Sequence, residues 1–232
     1  MGLKLSEKMG RLGTETAFEV LARAEALGRE GKDIINLGIG QPDFKTPPHV
    51  VEAGMKALRD GHHGYTPSPG IPALREAVAA DIARNRGVDV DPERIVVVPG
   101  GKVTMFFAIL MFGEAGTEIL YPNPGFPIYE SVIEFSGARA VPVQLLEEKD
   151  FSFDADAVLG LLNERSRLLI INSPANPTGG AVPKAQIDRL VAGLADFPQV
   201  AILSDEIYSQ MMYDGHAHTS LPPYPELEDP LI

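Results

Sequence analysis

The run Ser204-Asp205-Glu206-Ile207-Tyr208 places two carboxylates and a phenol just after the apolar stretch Val200–Leu203. A carboxylate at the end of a buried strand is costly unless it is paired. The protonated ring nitrogen of a bound ligand would supply the partner. A second polar run, Asn172-Ser173-Pro174-Ala175-Asn176-Pro177-Thr178-Gly179, follows the apolar stretch Leu168–Ile171. Both runs fall where parallel strands would end, the edge at which open α/β sheets bind ligands. Each run taken alone is equally readable as a turn or a capped strand end.

A third run, Pro99-Gly100-Gly101-Lys102, lies between the strand-like Ile95–Val98 and a helical pattern. Glycines at such a junction expose backbone N–H groups at a helix N-terminus, which suits an anion; a plain tight turn is the alternative. Two better-known phosphate motifs fail. A P-loop needs glycine at position 96 and Ser or Thr after the lysine, where this chain has Val96 and Val103. Gly38-Ile39-Gly40 has Asp43 in place of the third glycine of a dinucleotide fingerprint.

The elements that must position these residues alternate. Strand patterns are read at Ile34–Leu37, Ile95–Val98, Thr117–Tyr121, Arg139–Val143, Leu168–Asn172 and Val200–Ser204. Helical patterns are read from Phe18 to Leu27, Val50 to Leu58 and Pro72 to about Arg86, and near 102–112, 127–135, 154–163 and 183–194. Thr16 and Glu19 have capping-box spacing ahead of the first, and His62-His63 is expected to cap the end of the second. This alternation predicts βαβ units: a three-layer α/β/α fold on a mostly parallel sheet. The unbroken Leu168–Ile171 run suits a strand covered on both faces. Pro142 cannot donate to a ladder, so Arg139–Val143 is expected at an edge. Leu221 to Pro230 reads as a surface loop.

Composition excludes several classes. The chain has 232 residues, 44% hydrophobic and 22% charged, an ordinary globular balance. A net charge of −12 argues against a nucleic-acid partner, which needs a basic face. Without cysteine there is no disulfide, thiol nucleophile or Cys-ligated zinc. His216 and His218 have only Asp214 nearby as a further metal-type ligand, so no metal site is assigned. No apolar run approaches the ~18 residues of a membrane span, and the N-terminus lacks a signal-peptide core. No membrane partner is expected, and a cytoplasmic location fits. Met1-Gly2 to Ser6 matches a myristoylation pattern short enough to arise by chance.

Taken together, the motifs resemble the class I/II aminotransferases, the fold-type-I pyridoxal-phosphate enzymes. The matching stretches are Leu37 to Phe44, Gly64-Tyr65-Thr66-Pro67, Gly100-Gly101-Lys102, Tyr121 to Pro127, Asn176-Pro177-Thr178-Gly179 and Asp205-Glu206-Ile207-Tyr208. They are collinear with the family over nearly the whole chain. The resemblance implies an N-terminal arm and part of a small domain in residues 1–46, and a cofactor-binding large domain, incomplete, in 47–232. It implies pyridoxal 5′-phosphate as cofactor, amino acid and 2-oxo acid as substrates, and a homodimer.

It also implies roles. Asp205 would keep the cofactor's ring nitrogen protonated. Tyr208 and Asn176 would hydrogen-bond the phenolic oxygen. Gly101, Lys102 and Val103 would offer backbone donors to the phosphate. Phe126 would stack on the ring, where many relatives carry a larger aromatic. Gly40 would admit the substrate carboxylate. Tyr65 would reach the phosphate of a neighbouring subunit. Thr14-Glu15-Thr16 would lie at the site mouth, where Glu15 is less comfortable for a dicarboxylic substrate.

The chain departs from the family pattern at one point. Relatives continue past Tyr208 to a lysine that binds the cofactor covalently and shuttles a proton. Here Asp229-Pro230-Leu231-Ile232 reads as the start of the strand leading there. Lys102 belongs to the phosphate turn and Lys184 to an outer helix, so neither is a substitute. The expectation is a chain without transaminase turnover on its own. The alternatives are a non-catalytic cofactor-binding or subunit-interaction remnant, or one half of a split enzyme.

Overall fold

The computed structural model describes residues 3–13, 16–38 and 40–232. Met1-Gly2 of the myristoylation pattern, Thr14-Glu15 and Ile39 lie outside the described residues, as does the Thr16 side chain of the capping box.

Four parallel strands form the sheet: β1 (Glu118–Asn123), β2 (Arg139–Gln144), β3 (Ser166–Asn172) and β4 (Ala201–Asp205), in spatial order β2-β1-β3-β4. Among the described residues seven α-helices accompany them: α1 (Thr16–Arg29), α2 (Pro48–Arg59), α3 (Pro72–Arg86), α4 (Gly101–Phe112), α5 (Ile128–Ser136), α6 (Ala155–Leu161) and α7 (Lys184–Leu194). The chain steps from β1 to β2 on one side, then returns to place β3 on the other. The sheet therefore has a switch point between β1 and β3, where ligand crevices form.

Alternation along β3 builds the three layers. Leu168 and Ile170 pack with Ala108 and Ile109 of α4 and Tyr129, Val132 and Ile133 of α5. Leu169 and Ile171 pack with Val158 of α6 and Ile187, Leu190 and Val191 of α7. Both faces are covered, which explains the unbroken apolar sequence. Pro142 sits on β2, the edge strand, where its missing donor costs nothing.

A buried acid ties the opposite end of the sheet together. Glu118 accepts hydrogen bonds from Arg139 Nε at 3.1 Å and Asn163 Nδ2 at 2.8 Å, and pairs with Arg165. Burial pushes its pKa up, but these donors and the two guanidinium charges outweigh burial and hold it below the ordinary carboxylate value.

Three expectations are corrected. Ile34–Leu37 and Ile95–Val98 join no sheet. The second is held instead by Val97 N donating to Pro69 O at 2.8 Å and by the buried Arg75, whose Nε donates to Ile95 O at 3.0 Å. A strand needs an edge to pair with, and the edge of β4 is occupied by the chain's own Pro230–Ile232: Ile202 N donates to Pro230 O and Ile232 N to Ile202 O, each at 2.8 Å. The start of a further strand read at Asp229–Ile232 is thus present as a parallel bridge beside β4. Nor is Leu221–Pro230 simply a surface loop, because Leu221 and Leu227 are buried in the α6–α7 core. His62-His63 does follow the α2 terminus, with His62 N donating to Ala57 O at 3.0 Å.

The bridge covers β4 only briefly, and α4 is apolar almost all round. Its Phe107 and Met111 are 60% and 67% exposed. Exposed strand edges and contiguous apolar surface both drive association. The 232-residue polypeptide is expected to self-associate at micromolar concentration, and Phe107→Lys with Met111→Lys to raise the monomer fraction. Size-exclusion chromatography with light scattering checks this; a monodisperse parent chain with a cooperative, high-midpoint melt would contradict it. A second outcome concerns Glu118. Its folded pKa lies below its unfolded one, so its stabilisation is complete above the ordinary carboxylate range and is lost as pH falls through that range. Glu118→Gln should flatten the acid limb of urea midpoints measured from about pH 3 to about pH 7.

Candidate active site

The carboxyl ends of β3 and β4 lie side by side, with Asn172 opposite Asp205 in register. The Asn172 side chain fastens this edge. Its Nδ2 donates to Asp205 O at 3.0 Å, and its Oδ1 accepts from Asn176 N at 2.8 Å. One amide therefore fixes both the end of β4 and the loop that carries Asn176. Beyond it, Asn176 Nδ2 and Tyr208 Oη are 3.5 Å apart.

The Asp205 carboxylate is held by two donors. Tyr129 Oη donates to Oδ2 at 2.6 Å, and Ile207 N donates to Oδ1 at 3.3 Å. Tyr129 is fully buried. Burial and the adjoining Asp205 charge push its phenol far above the ordinary tyrosine range, so it stays a donor. Phe126 meets the Tyr129 ring edge-to-face at 6.0 Å. Phe126 lies just ahead of α5 and Tyr129 in its first turn, tied by Tyr129 N donating to Phe126 O at 3.1 Å.

A cavity of about 1000 Å³ opens at this edge, lined by Gly101, Lys102, Phe126, Asn176, Asp205 and Tyr208 among others. The α4 N-terminus borders it because Gly100, at φ 94°, turns the chain in a conformation that favours glycine. Lys102 Nζ stands 5.4 Å from the Phe18 ring centre and 5.7 Å from that of Phe126. The cavity thus presents an acid at a strand end, a phenol–amide pair, an aromatic face and a helix N-terminus.

Six of the nine residues expected at the site are brought together here. The other three are not. Val103 is absent from the lining, and its N–H donates to Gly100 O at 3.2 Å. Gly40 and Tyr65 are exposed and stand outside the cavity. Three participants were missed. Asn172 and Glu206 belong to motifs already singled out but carried no assigned role. Tyr129 had only its spacing from Phe126 as a signal, and its partner Asp205 is too far along the chain for any local pattern to reveal.

The family described as Aminotransferase class I and II matches residues 32–230. The aspartate aminotransferase of Geobacillus stearothermophilus is 33% identical over 219 residues, covering 94% of this chain and 56% of that enzyme. The aspartate/prephenate aminotransferase of Thermus thermophilus is 37% identical over 211 residues, 91% of this chain and 54% of the enzyme. Among solved structures, the aspartate aminotransferase from Rhizobium meliloti superimposes with a TM-score of 0.92 at 30% identity, covering 99% of this chain and 58% of that one. N-Succinyldiaminopimelate aminotransferase from Mycobacterium tuberculosis gives 0.89 at 31% identity, with 98% and 58% covered. The chain spans about half the length of the curated relatives it matches.

Tyr129→Phe removes a buried donor to a carboxylate. Hydrogen bonds to charged groups contribute about 1.5–3 kcal/mol. Because Asp205 also faces the open cavity, a loss at the lower end is expected in urea melts; an unchanged midpoint would show that water replaces the phenol without cost.

Proposed function

Because the chain belongs to the class I and II aminotransferases, we propose that it forms the cofactor-binding part of a pyridoxal-phosphate-dependent enzyme that transfers an amino group between an amino acid and a 2-oxo acid. The observation that carries this reading is the Asp205 carboxylate, fixed by Tyr129 at the end of β4 and facing a cavity. A carboxylate so placed is matched to a protonated ring nitrogen.

The remaining donors fit the same group. Tyr208 and Asn176, adjacent at 3.5 Å, suit the cofactor's phenolic oxygen. Gly101 and Lys102 at the α4 N-terminus suit its phosphate, since helix N-termini favour anions. Phe126 suits the ring face, with less stacking area than a larger aromatic would give. When bound, pyridoxal 5′-phosphate supplies an electron sink for chemistry at the amino acid's α-carbon. Asp205 holds a proton at the ring nitrogen and so keeps that sink effective. Tyr129 keeps the Asp205 carboxylate aimed by donating to Oδ2.

Residues 47–232 are assigned to the large domain, and 1–46 to an arm with part of a small domain. Exposed Leu3, Leu5, Leu37 and Phe44, with Tyr65 wholly exposed, support a homodimer in which these surfaces are covered. In that assembly Tyr65 and Gly40 would complete a site. Among the described residues no helix is long and apolar enough to cross a membrane, and a cytoplasmic location is proposed. Lys102 is the one lysine lining the cavity among the described residues, and it stands over aromatic rings at the phosphate end. Cofactor binding by the 232-residue polypeptide is therefore expected to be noncovalent, and turnover to need a lysine from elsewhere.

Titration with pyridoxal 5′-phosphate, followed by absorbance, should show saturable binding that Asp205→Ala weakens at least about tenfold, in keeping with loss of a charge-assisted contact. Absence of binding would remove the reading. Borohydride reduction and peptide mapping should find no stoichiometric adduct at a single lysine, and assays with amino acid and 2-oxo acid pairs should find no turnover by this polypeptide alone; either result reversed would show that one of its own lysines serves.

A further inference from the structure

Glu206 follows Asp205 directly and borders the same cavity, yet its carboxylate is taken up by the protein itself. Oε1 accepts from Ser204 Oγ and from Leu221 N, each at 3.0 Å. Oε2 accepts from Ser220 Oγ at 2.6 Å and Arg86 Nε at 2.9 Å, and His218 Nε2 lies 3.3 Å away. The side chain is only 8% exposed, and that of His218 10%. Arg86 is the last residue of α3, and its Nε also donates to Ser220 Oγ at 3.0 Å. Three separate parts of the chain therefore meet on one acid: the end of α3, the end of β4 and the segment 218–221.

A buried carboxylate is retained at a cost unless its lone pairs are filled and a charge is opposite. Here both conditions hold. Burial alone would raise the Glu206 pKa, but the nearby His218 and the donors from Ser220, Leu221 and Arg86 bring it down to about 2. With no oxygen left over, Glu206 has nothing to offer a ligand. Its effect must pass through what it holds.

What it holds is the outer flank of the site. On the inner flank, Asp205 is fixed by Asn172 and Tyr129. On the outer flank, among the described residues, Pro230–Ile232 pair with β4 through the Leu231 bridge. The Glu206 cluster is the constraint on that side. Leu221, whose amide it binds, is itself buried in the α6–α7 core, so the clamp is anchored to the protein interior.

We propose that Glu206 is a positioning residue of the cofactor pocket: by clamping the end of α3 and the 218–221 segment to the end of β4, it fixes the backbone of Asp205 and hence the aim of the Asp205 carboxylate. The link to the cofactor rests on the reading of Asp205 given above; the clamp itself does not.

Glu206→Gln keeps the shape and removes the charge that faces Arg86. Hydrogen exchange of the cofactor-free chain should show the amides from Asp205 to Ile207 opening about tenfold faster, with those of β1 and β2 unchanged, because local opening responds to local contacts. Bound pyridoxamine 5′-phosphate adds a second readout. Its ring-nitrogen titration, followed by ultraviolet absorbance, should fall between that of the parent chain and that of Asp205→Asn. Exchange that is unchanged, or that rises uniformly across the sheet, would overturn the proposal, leaving Glu206 a general contributor to stability. So would a ring-nitrogen titration identical to the parent's. If Glu206→Gln does not fold, Ser220→Ala removes a single donor, and the same localised exchange in smaller degree is required of it. A parent chain that binds no pyridoxamine 5′-phosphate would defeat the reading of Asp205, while the exchange comparison would still decide the clamp.

Discussion

The Asn172 side chain joins the two strand ends on which everything else at this edge depends. Parallel strands present their last carbonyls and side chains to the same side, and those groups must be satisfied without a further turn of ladder. Asn172 does this with one amide, donating to the backbone of β4 and accepting from the loop after β3. The register that sets it opposite Asp205 follows from continuous apolar pairing lower in the sheet, Leu168 with Ala201 through Ile170 with Leu203. The position of the acid is thus a consequence of core packing passed upward along two strands.

From that edge the structure is asymmetric. The β1–β3 side is closed by α5, whose Tyr129 is both a core residue and a donor to Asp205. The β4 side is held by polar contacts: the Glu206 cluster and a bridge of three residues. Apolar packing is nondirectional, whereas a filled carboxylate fixes specific chain segments at specific angles. On the β4 side, charge and hydrogen bonding supply the definition that packing gives on the other side.

Much of this was legible in sequence because it is local. The periodicity around Ile187, Leu190, Val191 and Leu194 announces α7, and Gly100-Gly101 announces the start of α4. The apolar run ending in Asn172 announces a strand covered on both faces. Ile95–Val98 misled for the opposite reason. Its residues have strand character, but a strand exists only in relation to a neighbour, and none is beside it. The same holds for Leu221 to Pro230, whose proline and glutamate content suggests a loop while Leu221 and Leu227 reach the core.

By itself the sequence determined the alternation of elements, the edge position of the strand bearing Pro142 and the chemical types gathered at the site, since each depends on spacing within one segment. Tertiary structure alone decided which groups meet. Tyr129 with Asp205, and Arg86 with Glu206 and Ser220, are pairings across 76, 120 and 134 positions of chain. No periodicity encodes such contacts. They arise because the sheet stacks strand ends in register and the helices packed on its two faces bring their own ends to the same edge.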